Sequence, residues 1–206
     1  ISPNGKWVVY YHDKQYHLFD TKRKKTYDLT SQLSVQFDNE LHDYPSAPSG
    51  YEISGWASDS SKVYINDRFD IWQFKVSNRS AKNLTKGEGR KQNLELRRVH
   101  TDQNSSYVNK SNKWLVKGYF DQKKNHGFFE LATKSGQLKP LLVDNKAYRF
   151  LQKPKDSKNY FFTQEDFQNL KIITKSMLFT LIPLHNNDKC IHYYNLIFSE
   201  YLNKTY

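Results

Sequence analysis

A pattern of about 55 residues recurs along this chain, and that periodicity restricts the fold more than any single motif. The first repeat reads Ser2-Pro3-Asn4-Gly5-Lys6-Trp7-Val8-Val9-Tyr10-Tyr11, then Tyr16-His17-Leu18-Phe19-Asp20, then Tyr27-Asp28-Leu29-Thr30. The second reads Ser58-Asp59-Ser60-Ser61-Lys62-Val63-Tyr64-Ile65, then Asp70-Ile71-Trp72-Gln73-Phe74, then Lys82-Asn83-Leu84-Thr85. Leu29 and Leu84 stand 55 positions apart. The third runs from Lys110-Ser111-Asn112-Lys113-Trp114-Leu115-Val116 through Gly127-Phe128-Phe129-Glu130-Leu131 to Lys139-Pro140-Leu141-Leu142. The fourth begins at Lys153-Pro154-Lys155-Asp156-Ser157-Lys158-Asn159-Tyr160-Phe161-Phe162 and has no visible end.

Each repeat has the same order: a polar turn, a strand, a tight turn, a second strand, a charged turn and a short third strand. Asp, Asn, Ser and Gly at the bends supply the backbone conformations a meander needs. One small antiparallel sheet cannot bury both of its faces, so the sheets must stack, as the blades of a propeller do, at about 40 to 50 residues per blade. The expected fold is all-β: a partial β-propeller of about four blades of antiparallel four-stranded sheets, with an atypical C-terminal tail. Tyr and Phe abundance agrees with strands, with 15 and 13 in 206 residues. Expected blades span 1–48, 49–100, 101–147 and an incomplete 148–170. Residues 171–206 form a divergent tail in which no repeat can be traced. Either a divergent strand pair there closes the last blade or the parent reading frame is interrupted, and the interruption is the expected account.

A net charge of +11 raises nucleic acid as a partner. Phosphate recognition needs the charge clustered, and the densest run, Lys22-Arg23-Lys24-Lys25, falls at a hairpin tip between two strands. A solvated turn explains it, so nucleic acid is not the expected partner and a basic nucleic-acid binder stands as the third and most distant reading. One cysteine, Cys190, precludes an intrachain disulfide and leaves the compartment open. No apolar run reaches the roughly 18 residues that span a bilayer, so the chain is expected to be soluble with no membrane partner. The start at Ile1 reads as a cut or processed terminus.

Several segments resemble propeller blades of the prolyl oligopeptidase family of serine peptidases, in particular its dipeptidyl-peptidase-like and acylaminoacyl-peptidase-like members. They are Asp38-Asn39-Glu40-Leu41-His42-Asp43-Tyr44-Pro45, Tyr51-Glu52-Ile53-Ser54-Gly55-Trp56, Asp67-Arg68-Phe69-Asp70-Ile71-Trp72 and Asn83-Leu84-Thr85. Phe120-Asp121-Gln122-Lys123-Lys124-Asn125-His126-Gly127-Phe128-Phe129 and Phe161-Phe162-Thr163-Gln164-Glu165-Asp166-Phe167 carry the resemblance on, over residues 2–170. It implies a propeller of seven or eight blades that gates and orients peptide substrate over a separate α/β-hydrolase domain. It also implies a periplasmic or secreted location, while a cytoplasmic one agrees equally with the composition. A peptide or protein is the expected partner, together with the catalytic domain if the parent is intact. A stand-alone module that binds a protein or peptide is the alternative.

The nucleophile elbow of such hydrolases, Gly-x-Ser-x-Gly, occurs nowhere in the sequence, so no catalytic residue is assigned and this chain is expected not to be an enzyme. Ser54-Gly55 and Ser135-Gly136 read as turn residues. The paired Glu with which dipeptidyl members hold a substrate amine has no counterpart; Glu165-Asp166 is the nearest acidic pair, and the role is not carried over. Asp67, Arg68 and Asp70 at a β-turn, with Glu165, are the candidates for a substrate-channel mouth. An Arg–Asp pair tying the turn is the plainer reading of the first three. His185, Cys190 and His192 are the compact set with zinc-ligand chemistry, but with no fourth ligand nearby no metal is assigned, and no cofactor is expected. Trp7 and Trp114 are expected at equivalent core positions of their repeats, and Trp56 and Trp72 within strands. Asn-x-Ser/Thr sequences such as Asn78-Arg79-Ser80 read as turns.

Overall fold

The structure, a computed structural model, describes residues 1–102, 105, 107–108, 111–153, 159–165, 172–177 and 180–183, the last two spans as backbone only. The chain divides into two compact units, Ile1–Asp144 and Asn145–Tyr206.

The first unit holds three sheets. Strands β1 (Trp7–His12), β2 (Gln15–Asp20) and β3 (Lys25–Asp28) form the first. The second contains β4 (Ile53–Trp56), β5 (Lys62–Asn66), β6 (Ile71–Lys75) and β7 (Ala81–Asn83). After a short helix α1 (Glu88–Gln92), the third contains β8 (Leu94–Arg98), β9 (Lys113–Phe120), β10 (Asn125–Ala132) and β11 (Gln137–Val143). In the second unit, β12 (Ala147–Gln152), β13 (Asn159–Glu165), β14 (Ile172–Met177) and β15 (Thr180–Pro183) make one sheet. Every sheet is an antiparallel meander in chain order.

The 55-residue offset is kept to the atom in the first two sheets. Trp7 pairs with Asp20 as Lys62 pairs with Lys75, and Val9 with Leu18 as Tyr64 with Gln73. Gly5 and Ser60 both take a left-handed backbone, as do Lys24 and Arg79 at the next turn. A threonine closes each sheet. Thr30 Oγ1 accepts the Tyr16 N–H at 2.9 Å and donates to Gln15 Oε1 at 2.6 Å. Thr85 Oγ1 accepts the Ile71 N–H at 3.2 Å and donates to Asp70 Oδ1 at 2.5 Å. Both threonines are buried, so each hydroxyl satisfies a backbone donor that water cannot reach.

Stacking buries the faces. Val9, Tyr16, Leu18 and Leu29 of the first sheet, with Phe37 of the connection, pack on Val63, Ile65 and Phe74 of the second. Tyr64, Ile71 and Leu84 face the other way, onto Leu94, Leu96, Trp114, Val116 and Leu131 of the third. Strand β5 is buried on both faces, and Ile65 and Phe74 are wholly inaccessible. Each such side chain contributes about 1.5 to 3 kcal/mol of burial.

Three expectations are revised. The strand Leu94–Arg98, inside the residues expected for the second blade, pairs with β9 and opens the third sheet. The reason is that the second and third sheets start one strand ahead of the polar turn that marks the repeat: β4 precedes Ser58 as β8 precedes Ser111. Counted that way, the first sheet has three strands, and none of the described strands is a counterpart of β4 beside β1. Second, the expected boundary at 170 falls between paired strands, since β14 pairs with β13 and β15 with β14, extending the fourth sheet to Pro183. Third, Trp7 and Trp114 are not equivalent. The bond Thr21 N–H to Lys6 O matches Val76 N–H to Ser61 O and Thr133 N–H to Asn112 O. Trp7 therefore corresponds to Lys113, and Trp114 to Val8 and Val63, one residue along and so on the opposite face.

Candidate functional site

The turn between β5 and β6 organises a polar cluster at one end of the second and third sheets. Asp67 is completely buried, and its Oδ1 accepts the N–H of Phe69 at 2.7 Å and of Asp70 at 2.6 Å. Its Oδ2 accepts Trp72 Nε1–H at 3.1 Å. Burial pushes this carboxyl up from the ordinary aspartate range, and the amide donors oppose the shift. Asp70, also buried, accepts the Thr85 hydroxyl and the N–H groups of Gly89 and Arg90 at 3.1 and 3.2 Å. Both aspartates thus tie the turn to its neighbours.

Arg68, from the same turn, reaches across to the third sheet with its side chain largely buried. Its Nη2 donates to Asp121 Oδ2 at 2.8 Å, and its Nε to Glu95 Oε1 at 3.4 Å. Asp121, on the turn between β9 and β10, also pairs with Lys124 at 2.8 Å. That hydrogen bond from Lys124, reinforced by Arg68, holds the Asp121 carboxyl below its usual range and raises the Lys124 amine. Arg90 of α1 donates to Glu40 at 2.7 Å and lies 3.7 Å from Asp67. The buried ring of Phe69 sits under both Arg68 and Arg90, 4.7 and 5.0 Å from the guanidinium carbons.

Consecutive arginines on β8 behave differently. Arg97 donates to the carbonyls of Leu96 and Arg68, over the Tyr51 ring. Arg98 donates twice to the Ser54 carbonyl, over the Trp114 ring. Burial lowers the pKa of Arg98 from its ordinary value. Neither forms an ion pair with a carboxylate among the described residues, whereas Glu40, Glu95, Asp67 and Asp121 each have an arginine partner. Arg97 and Arg98 thus set guanidinium groups on main-chain carbonyls beside aromatic rings, an arrangement that can hold a carbonyl-rich ligand by hydrogen bonds and stacking.

Of the residues singled out from sequence, Asp67, Arg68 and Asp70 belong to this cluster, the two aspartates tying the turn and Arg68 bridging to the third sheet. Glu165 is exposed at the end of β13 in the second unit and forms no ion pair among the described residues. His185, Cys190 and His192 lie outside the described residues. Among the described residues no group of three or more His, Cys, Asp and Glu side chains is placed to hold a metal. No described helix is long and apolar enough to cross a membrane. Sequence reading missed Glu40, Arg90, Glu95, Arg97, Arg98 and Asp121. Only the adjacent pair Arg97-Arg98 in a strand was a local signal, because alternation sends the two to opposite faces.

No protein-family model matches the chain. No curated protein matches it in sequence. Solved structures do resemble it. An oligogalacturonate lyase from Vibrio parahaemolyticus aligns over 92% of this chain and 52% of its own, at 10% identity and a TM-score of 0.54. An oligogalacturonate lyase in complex with manganese aligns over 91% of this chain and 51% of its own, at 10% identity and a TM-score of 0.53. TolB from Acinetobacter baumannii aligns over 90% and 42%, at 12% identity and a TM-score of 0.43. The chain spans about half the length of the lyases it matches. The fold is a β-propeller, present here as four successive sheets.

Proposed function

We propose that this chain is the non-catalytic propeller portion of a serine peptidase of the prolyl oligopeptidase kind, and that it gates and orients peptide substrate for a hydrolase domain supplied elsewhere. One observation carries the reading. Three of the segments on which the resemblance rests meet in one place: Glu40 from the first, Asp67 and Arg68 from the turn segment, and Asp121 with Lys124 from the third repeat. The likeness to the lyases is one of fold and adds no substrate.

In this reading the carboxylates of the cluster position Arg68 and Arg90, and Arg97 offers its guanidinium to a peptide carbonyl or carboxylate. Tyr51 and Phe69 provide the flat surfaces beside them. No group in the cluster is assigned a role as nucleophile or base. The test is incubation of the chain with fluorogenic proline-containing peptides and with a serine-reactive fluorophosphonate probe. The reading expects no turnover and no labelling. Hydrolysis that the probe abolishes overturns it.

A further inference from the structure

We propose that a basic stripe along the outer rim of the first three sheets binds duplex DNA through its phosphate backbone, without reading sequence. The inference rests on turns at the opposite end of the sheets from the Arg68 cluster, and not on the peptidase reading.

In an antiparallel meander the turns alternate ends, so the turns after β2, β6 and β10 lie away from the β5–β6 turn that holds Asp67. The matching bonds at Thr21, Val76 and Thr133 make these three tips equivalent. The first is Lys22-Arg23-Lys24, followed by Lys25 at the start of β3, all exposed. The second presents Arg79, whose guanidinium carbon lies 4.6 Å from the ring centre of Tyr27 on β3. The third presents Lys134, whose carbonyl accepts a hydrogen bond from Lys82 Nζ of β7 at 3.2 Å. Lys86 lies against this third tip, its Cγ 2.9 Å from where a Cβ on Gly136 would stand. The second and third tips thus each touch the outer strand of the preceding sheet, and the cations make one stripe over three sheets. Residues 21–27, 71–86 and 133–143 contain no Asp or Glu. Asp20, beside the first tip, is buried, and its Oδ1 accepts the Lys22 and Arg23 N–H groups at 2.9 Å.

A solvated turn accounts for one run of lysines, and protection of a sheet edge for Lys25 and Lys82 on the outer strands. Neither accounts for Lys22, Lys24, Arg79 and Lys134 on three equivalent turns. Nor does either account for Lys62 and Lys75, which stand directly opposite one another across β5 and β6. A like-charge pair in that register costs the sheet stability, and a polyanion laid over it removes the cost. The net charge of +11 and pI of about 9.5 are those of a phosphate-binding domain. What the stripe lacks then selects the partner. Its tips carry no exposed large apolar side chain to enter a bilayer. Its ring, Tyr27, is taken by Arg79 and Lys25 and is not offered to unstacked bases. Lysine, a point charge, outnumbers arginine, whose fork reads guanine edges. These features leave the backbone of a duplex. Sheets stacked about 10 Å apart spread the stripe over about 20 Å, roughly six base pairs, and a hairpin tip fits a major groove about 12 Å wide.

The experiment follows the anisotropy of a fluorescein-labelled duplex of about 20 base pairs, of mixed sequence, as the 206-residue chain is added at salt from about 50 to about 200 mM. About five phosphate contacts give a slope of log affinity against log salt of about −4.5, and binding about 500-fold weaker at the higher salt. The rim variant, Lys22→Ala with Lys24→Ala and Lys25→Ala, is expected to bring the slope to about −2 and to weaken binding at low salt at least about tenfold. A control variant, Lys14→Asn with Lys91→Ala and Lys123→Ala, removes the same charge from the β1–β2 turn, α1 and the β9–β10 turn. It is expected to bind within about twofold of the unaltered chain. Binding that does not depend on salt, no binding, or weakening of the rim variant no greater than that of the control overturns the proposal. Tighter binding to a single strand of the same sequence also overturns it. So does capture on phosphatidylserine–phosphatidylcholine vesicles, at about 30 to 70, without binding to the duplex. The peptide reading is probed at Arg97, at the other end of the sheets, so the two readings fail separately.

Discussion

Replacing Thr85 by valine tests the device that closes the first two sheets. Valine keeps the shape of threonine and removes only the hydroxyl. At this site the hydroxyl is wholly buried, accepts the Ile71 N–H at 3.2 Å and donates to Asp70 at 2.5 Å. An orphaned buried amide costs roughly 1 to 3 kcal/mol, and a lost hydrogen bond to a charged acceptor about 1.5 to 3. Asp70 keeps the N–H groups of Gly89 and Arg90, which tempers the second loss. The expected total is about 3 kcal/mol, a large share of the roughly 5 to 15 kcal/mol that folds a domain. Thr30→Val in the first sheet is the internal control. It orphans the Tyr16 N–H in the same way, but its other partner is Gln15, neutral and only half-buried, which can turn to water. Its expected cost is about 1 to 2 kcal/mol. Urea unfolding followed by tryptophan fluorescence reads both variants, because Trp7, Trp56, Trp72 and Trp114 all lie in the first unit. A loss under about 1 kcal/mol for Thr85→Val, or equal losses for the two variants, refutes the reasoning.

Other predictions follow from the same packing and charges. Gly118→Ala drives a methyl to 2.5 Å from Phe129 and 2.7 Å from Leu94, so a loss of about 1 to 3 kcal/mol is expected in the same urea assay. Burial pushes Tyr16 and Tyr64 up to about 12, so native stability is intact below pH 10 and falls as pH rises from 10 toward 12. The last part of the tyrosinate absorbance should appear together with unfolding, and ionisation of every tyrosine while the chain stays folded contradicts this. The depressed Asp121 carboxyl contributes stability above its ordinary pKa that is lost as pH falls through the lower folded value. In a carboxyl NMR titration, Lys124→Ala should return Asp121 toward its ordinary value by more than Arg68→Ala does; the reverse order contradicts the assignment of causes.

The fold was legible because its period is long and its turns are chemically marked. The polar turns that end at Gly5 and Ser60 and the Leu-Thr endings at Leu29-Thr30 and Leu84-Thr85 lie at the same offset in sequence and in space. What escaped was the first strand of the third sheet. Leu94–Arg98 is short and lies upstream of the polar turn that marks its repeat, so it falls among the residues expected for the second blade, whereas Ile53–Trp56 lies in the blade expected for it. Trp7 misled for a related reason: in a strand, one residue of slip exchanges the faces, and similarity of letters does not fix the pleat. At the site, Asp67, Arg68 and Asp70 were visible as a charged turn. Their partners were not, since Glu40, Arg90 and Asp121 come from three other places in the chain and only stacking brings them together.

The measurement that bears most directly on the functional reading is a titration of the 206-residue chain with proline-containing peptides that carry a free carboxylate, followed by amide chemical shifts and by chromatography of the peptide. The account predicts shifts centred on Arg68, Glu95, Arg97 and Asp121, their loss in Arg97→Ala, and recovery of the peptide intact. Binding centred elsewhere and indifferent to Arg97, or a cleaved peptide, contradicts it.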